Sequence, residues 1–147
     1  EWYEAGRWEQ NLELVSREGA EIIPYTSPKY PKRLLEIRDH PLVLYVKGEL
    51  RTADQRNIAV IGTRAASIYG LEMAEKLTRE LVHANFTITS GLARGIDTKA
   101  HTTALEEGRT IAVIGSGLCN IYPKENEVLA KQIASKGAII SEYAMMT

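Results

Sequence analysis

From Asn57 onward the chain repeats one grammar: an apolar strand, a turn rich in glycine, then a stretch with helical spacing. Strands are expected at Ile58–Ile61, Phe86–Thr89, Ile111–Ile114 and Ala138–Ser141, about 25 to 28 residues apart, the length of one strand–helix unit. Strands separated by helices cannot fold back as hairpins, so this cadence dictates a parallel sheet running through Val60, Ile88, Val113 and Ile139. The intervening segments carry the matching pattern, with Leu71, Ala74, Leu77 and Leu81 in the first and Val128, Leu129 and Ile133 in the third. Each ends on Asn85, Gly108 or Gly137, residue types that tolerate a left-handed helix stop.

Alternating parallel strands and helices imply an α/β, Rossmann-like, doubly wound and mainly parallel sheet. In that class ligands bind beyond the carboxyl ends of the strands, near a topological switch point. Three glycine turns follow three of the strands and fall at one edge: Gly62-Thr63-Arg64, Gly91-Leu-Ala-Arg94-Gly95 and Gly115-Ser116-Gly117. The backbone turns sharply at such glycines, and the N–H groups of the helix that follows point at the bound group and favour an anion. Asp97 and His101, four apart, share one face of the second helix, with scaffold as their first role.

The edge carries charge of one sign. Arg64 lies in the first turn, Arg94 in the second, Lys99 just inside the second helix, and Lys124 after Tyr122-Pro123 in the third. With Ser67, Ser90 and Ser116 as hydroxyl donors, it is suited to phosphate groups. A dinucleotide fingerprint fails twice. The first turn reads G-T-R-A-A-S-I-Y-G in place of G-x-G-x-x-G, and Thr89 and Ser90 stand where an acid would take a ribose hydroxyl. A Walker lysine motif is absent as well, so neither NAD nor ATP is expected and no cofactor is assigned.

The first fifty residues lack this grammar. Trp8, Leu12 and Val15 recur at helical spacing up to Gly19, which makes Trp2 and Trp8 packing residues before stacking platforms. Ile22 and Ile23 suit a short strand, the prolines of 24–31 end regular structure, Leu34, Leu35 and Ile37 suit a short helix, and Leu42–Val46 suits a buried strand. The expected organisation is an extension over 1–50 that enlarges the sheet, and a core over 51–147.

A net charge of −1 excludes adhesion to nucleic acid by bulk electrostatics, so any such binding needs a local basic patch. The single cysteine, Cys119, excludes an internal disulfide framework and fits a reducing, cytoplasmic setting. No apolar run spans a membrane, and the start at Glu1 without a methionine reads as a fragment of a longer protein.

The strings I-A-V-I-G-T-R-A-A-S-I-Y-G, S-G-L-A-R-G-I-D-T-K-A-H, I-A-V-I-G-S-G-L-C-N-I-Y-P-K-E-N and G-A-I-I-S-E-Y resemble the DNA processing protein A family, also called DprA or Smf. The upstream Y-P-K-R-L and P-L-V-L-Y-V-K-G resemble the segment that precedes the family's core. The resemblance implies a protein that binds single-stranded DNA during natural transformation, protects it and loads the RecA recombinase for DNA recombination. It implies a first part of the DNA site at Gly62, Arg64 and Ser67 and a second at Ser90, Gly91, Gly95 and Asp97, to which the chemistry of the edge adds Thr63, Arg94 and Lys99. The third comprises Gly115, Gly117, Tyr122, Pro123, Lys124 and Asn126, with Ser116 added as a hydroxyl donor of the edge. A homodimer is a further partner it suggests. Two departures stand out: Cys119 occupies a position where the family often has an aspartate, and the family's arginine- and asparagine-containing motif after S-E-Y is missing.

The residues themselves agree with binding. Single strands are held by basic groups that track phosphates and by aromatic faces, here Arg64, Lys124 and Tyr122. The rival is a nucleotide-binding or phosphoribohydrolase-like enzyme of the same superfamily. Such enzymes resemble this architecture but carry a P-G-G-x-G-T turn followed by a helical glutamate, which this chain lacks. Glu142 has no such setting, and Asp97 with His101 finds no nucleophile to complete a site.

Overall fold

The structure, a computed structural model, describes residues 7–147. Its elements follow the expected order: α1 Arg7–Arg17, β1 Ala20–Pro24, β2 Val43–Gly48, β3 Asn57–Ala59, α2 Ile68–His83, β4 Thr87–Ser90, α3 Ile96–Glu107, β5 Thr110–Val113, α4 Glu127–Lys136 and β6 Ala138–Ser141. Short 3-10 turns occupy Lys32–Glu36, Thr52–Gln55 and Lys124–Asn126. Among the described residues no helix is long and apolar enough to cross a membrane.

One six-stranded sheet runs in the order β1-β2-β6-β5-β4-β3. The pairs β3–β4, β4–β5 and β5–β6 are parallel, as the strand spacing requires, while β1–β2 and β2–β6 are antiparallel and extend the sheet at one side. The parallel strands follow one another in sequence order. Right-handed crossovers that always step the same way lay their helices on one face. The packing agrees: Ile88, Ala112, Ile139 and Tyr45 meet Val15 of α1, Val82 of α2, Ala100 and Ala104 of α3, and Leu129, Ala130 and Ile133 of α4. On the other face Ile111, Ile140, Leu44 and Val46 are covered by Tyr30, Leu34 and Leu50 from the segments around β2. No reversal of strand order lies within the described residues, so the carboxyl edge alone, rather than a switch point, positions the site.

Some helix faces differ from the periodicity reading. Trp8 and Leu12 are exposed, not packed, and α1 instead turns Asn11, Leu14 and Val15 inward; the Asn11 amide donates to the Tyr45 hydroxyl and accepts from Met145 N–H. Trp2 lies outside the described residues. In α2 the buried stripe is Ala74, Thr78 and Val82, one step round from Leu77, which is half exposed. A hydroxyl inside that stripe is what hides it from an apolar count. Asn85 does take the left-handed conformation, at φ 61°. Gly108 and Gly137 do not; at Gly137 a Cβ would collide with the Thr110 carbonyl oxygen, so close approach rather than handedness requires the glycine there.

Candidate functional site

Parallel strands deliver their following turns to one edge, and the three glycine turns meet there. The second is the most constrained. Leu92, fully buried, and Gly95 both have positive φ, 61° and 75°. At Gly95 a Cβ would strike the Thr63 carbonyl oxygen, while Ile96 N–H donates to that same oxygen at 3.3 Å, so the first and second turns are laced backbone to backbone. Asp97, 5% exposed in the first turn of α3, completes the lacing. Its Oδ2 accepts from the N–H of Gly91 at 3.0 Å and of Ala93 at 3.4 Å, and its Oδ1 from the N–H of Gly62 at 3.4 Å. Ser90, also buried, donates its hydroxyl to the Val60 carbonyl at 2.7 Å. These groups shape the turns and do not face outward.

The third turn is held by the segment that follows β6. Gly117 N–H donates to the Thr147 carbonyl and Cys119 N–H to the Met145 carbonyl, each at 2.8 Å, with Asn120 N–H closing on Gly117 at 2.9 Å. The Ser116 hydroxyl donates to the Asn120 carbonyl at 2.7 Å. Cys119 joins the turn through its backbone N–H, and its thiol's pKa is pushed up by burial and by the Glu18 charge. Asn126, buried at the start of α4, donates to the Leu92 carbonyl at 2.8 Å and the Thr98 hydroxyl at 2.9 Å. It ties the third turn to the second.

Between these turns opens a cleft of about 370 Å³. Arg64 and Arg94 border it, Gly91, Gly115 and Ser116 form its floor, and Tyr122 and Pro123, joined by a cis peptide, close one side. Tyr122 is 63% exposed. The amino ends of α2, α3 and α4 lie at this edge, so three helix dipoles present their positive poles near the opening. Arg94 already has a partner: its Nε meets Glu125 Oε1 at 2.5 Å and its Nη2 meets Oε2 at 2.9 Å, with the guanidinium 5.9 Å from the Tyr122 ring centre. That fork raises the guanidinium's pKa and lowers the carboxyl's.

Other expected site residues sit elsewhere. Lys99 turns its amine to Glu75 of α2 at 3.0 Å, joining an ion-pair chain through Arg79 to Glu106 and Glu107. Ser67 caps α2 by accepting from Gly70 N–H at 3.1 Å. Thr63 accepts from Ala65 N–H at 3.2 Å, and Lys124 is exposed beside the cleft's aromatic side without lining it. His101 is fully buried, its Nδ1 2.7 Å from the Thr110 hydroxyl, and burial lowers its pKa to about 4 against opposing pulls from Asp97 and the Ser90 backbone. Asp97 and His101 are therefore scaffold, turned away from the cleft. The sequence reading missed Glu125, whose pairing with Arg94 spans 31 positions, and the carbonyls of Met145 and Thr147 after β6. A pairing at that separation leaves no periodic trace in a sequence.

Residues 21–147 match the model of a family described as DNA recombination-mediator protein A. The chain is 41% identical over 139 residues to Protein Smf of Synechocystis sp., covering 91% of this chain and 35% of that protein. It is 39% identical over 134 residues to DNA processing protein DprA of Bacillus subtilis, covering 90% of this chain and 45% of that protein. The X-ray structure of DNA processing protein A from Streptococcus pneumoniae matches with a TM-score of 0.80 at 39% identity, over 90% of this chain and 47% of the other. The Helicobacter pylori protein of the same name, described by its single-stranded DNA binding mode, matches with a TM-score of 0.76 at 32% identity, over 88% and 58%. The chain thus spans less than half the length of these curated relatives.

Proposed function

Because the chain belongs to the DNA recombination-mediator protein A family, we propose that its cleft holds the sugar-phosphate backbone of single-stranded DNA, in the service of DNA processing and recombination. One observation supports this above the rest. Two arginines and an exposed tyrosine border a single opening whose floor is glycine-turn backbone. Phosphates suit the arginine forks and the helix amino ends, and a base suits the tyrosine face. Nothing in that arrangement reads a base edge, so binding is independent of sequence. Among the described residues the cleft is walled by turns and not by a helix shaped to enter a major groove, so a duplex is the poorer ligand.

Within this reading Arg64, Arg94, Tyr122 and the Gly91, Gly115 and Ser116 backbone touch the strand, with Lys124 reaching phosphates further along it. Asp97, Ser90, Gly95, Gly117 and Asn126 hold the turns in shape. The function is binding rather than catalysis: the one buried acid and histidine near the site are both spent on scaffold contacts. Hand-over of the strand to the RecA recombinase, homodimerisation, a cytoplasmic location and a role in natural transformation belong to the same proposal, carried by kinship with DprA proteins. Fluorescence anisotropy at fixed salt with labelled oligonucleotides tests it. A single strand is expected to bind more tightly than a duplex of the same length, with equal affinities for unrelated sequences; equal affinity for the duplex overturns the reading.

A further inference from the structure

The Arg94–Glu125 fork is unusual in its place. Arg94 borders the cleft, and the Nε–Nη2 edge of its guanidinium is engaged by a carboxylate in the geometry with which a guanidinium takes a phosphate. Both side chains are about half exposed, 49% and 56%, so the pair is no structural strut buried in the core. The two residues lie on different turns, Arg94 ahead of α3 and Glu125 ahead of α4, and Tyr122 flanks the guanidinium. Arg64, on the opposite turn, has no carboxylate partner among the described residues. The site therefore presents one guanidinium open and one with its Nε–Nη2 edge already filled.

We propose that Glu125 is a built-in competitor that occupies the Arg94 fork in the free protein and is displaced by a DNA phosphate, thereby setting the affinity and the salt dependence of strand binding. This rests on the reading that the cleft holds DNA. A phosphate arriving alone must evict a well-placed carboxylate for little gain. A phosphate belonging to a strand already seated at Arg64 is held at high effective concentration and wins the exchange. Occupancy of the fork thus favours a polyanion over an isolated phosphate monoester, which is a specificity function. The exchange also changes the ion count: the phosphate that Arg94 neutralises releases its condensed cation while the freed Glu125 carboxylate takes one up, so this contact adds little to the salt slope until Glu125 loses its charge.

The test is a double-mutant cycle in the 147-residue chain, read by anisotropy with a labelled oligothymidylate across a salt series. Glu125→Gln is expected to bind about two- to fivefold more tightly, the scale of an exposed ion pair. Its slope of log affinity against log salt should steepen by about 0.7, one single-strand phosphate's worth. In an Arg94→Ala background the same substitution should change neither quantity. An equal gain in that background marks a general charge effect acting without Arg94, and overturns the proposal; so does parental affinity for Glu125→Gln. Arg64→Ala run alongside separates the two levels of failure. If it weakens binding while Glu125→Gln is neutral, only the competitor falls. If it binds like the parent, the DNA reading of the cleft falls and takes the competitor with it. Thermal melts of all variants confirm that the exposed substitutions leave the fold intact.

Discussion

The Asp97 carboxylate accepts the backbone N–H of Gly62, 35 residues earlier in the chain, at 3.4 Å while its other oxygen takes Gly91 at 3.0 Å. A buried acid thus fixes the distance between two turns by satisfying amides that their sharp geometry would leave unpaired. The shape of the cleft depends on a residue that never faces it.

Asp97→Asn tests that dependence. The amide keeps the volume but offers one oxygen where two are used, so an N–H of the side chain must face an N–H of the backbone. Leaving a buried donor unsatisfied costs about 1–3 kcal/mol. For a chain of this size that lowers the melting temperature by roughly 3 to 10 °C. Strand affinity should fall as well, because Gly62 and Gly91 move relative to each other. An unchanged melting curve by circular dichroism would show that the three contacts are not holding the turns.

Acid should destabilise the fold in two stages. His101 is buried neutral, with a pKa of about 4 in the fold against an ordinary 6.5. Between those values the unfolded chain binds the extra proton, so stability is full above about pH 6.5 and declines as pH falls toward 4, by on the order of 3 kcal/mol. Asp54 takes over below that. Burial pushes its carboxyl up, but the Arg109 fork at 2.6 and 2.9 Å, the Arg51 N–H and the Thr87 hydroxyl together hold it below the ordinary 3.8. Its contribution is present above 3.8 and is lost as pH drops through the depressed value. Urea unfolding from pH 7 to 3 should show the first decline, and His101→Gln should flatten it between 6.5 and 4. A parental slope in that variant would exclude His101 as its source.

The strand cadence was most legible at β5 and β6, because a strand buried on both faces is a near-continuous apolar run, and β6 Ala138–Ser141 was bounded to the residue, whereas the edge strand β3 is largely exposed. The glycine turns were legible because few residue types tolerate their geometry. Side-chain destinations were not. Lys99 and Arg94 look alike in a sequence, yet one meets Glu75 on a neighbouring helix and the other borders the cleft. Which carboxylate a lysine meets depends on how α2 lies beside α3, and the stripe that sets this includes the polar Thr78. Trp8 misled for the opposite reason: its size suggests burial, whereas α1 anchors through Asn11 to Tyr45 and Met145.

Arg64 and Lys99 give the sharpest contrast, since the sequence put both at the site and the structure separates them. Arg64 is exposed on the first turn and borders the cleft, ahead of the α2 amino end. Replacing it by alanine removes a charge-assisted contact of about 1.5–3 kcal/mol, so single-strand affinity should fall about ten- to a hundredfold. Arg64→Lys should recover only part of that, because a point charge keeps the attraction and loses the planar fork. Lys99→Ala should leave affinity nearly unchanged, its amine being committed to Glu75 outside the cleft. Neither change touches the core, so thermal unfolding should shift little in either variant. Anisotropy at one salt concentration and melting on the same samples decide the matter. If Lys99→Ala costs as much as Arg64→Ala, the strand follows the α2–α3 face instead; if Arg64→Ala costs nothing, no phosphate sits at the first glycine turn.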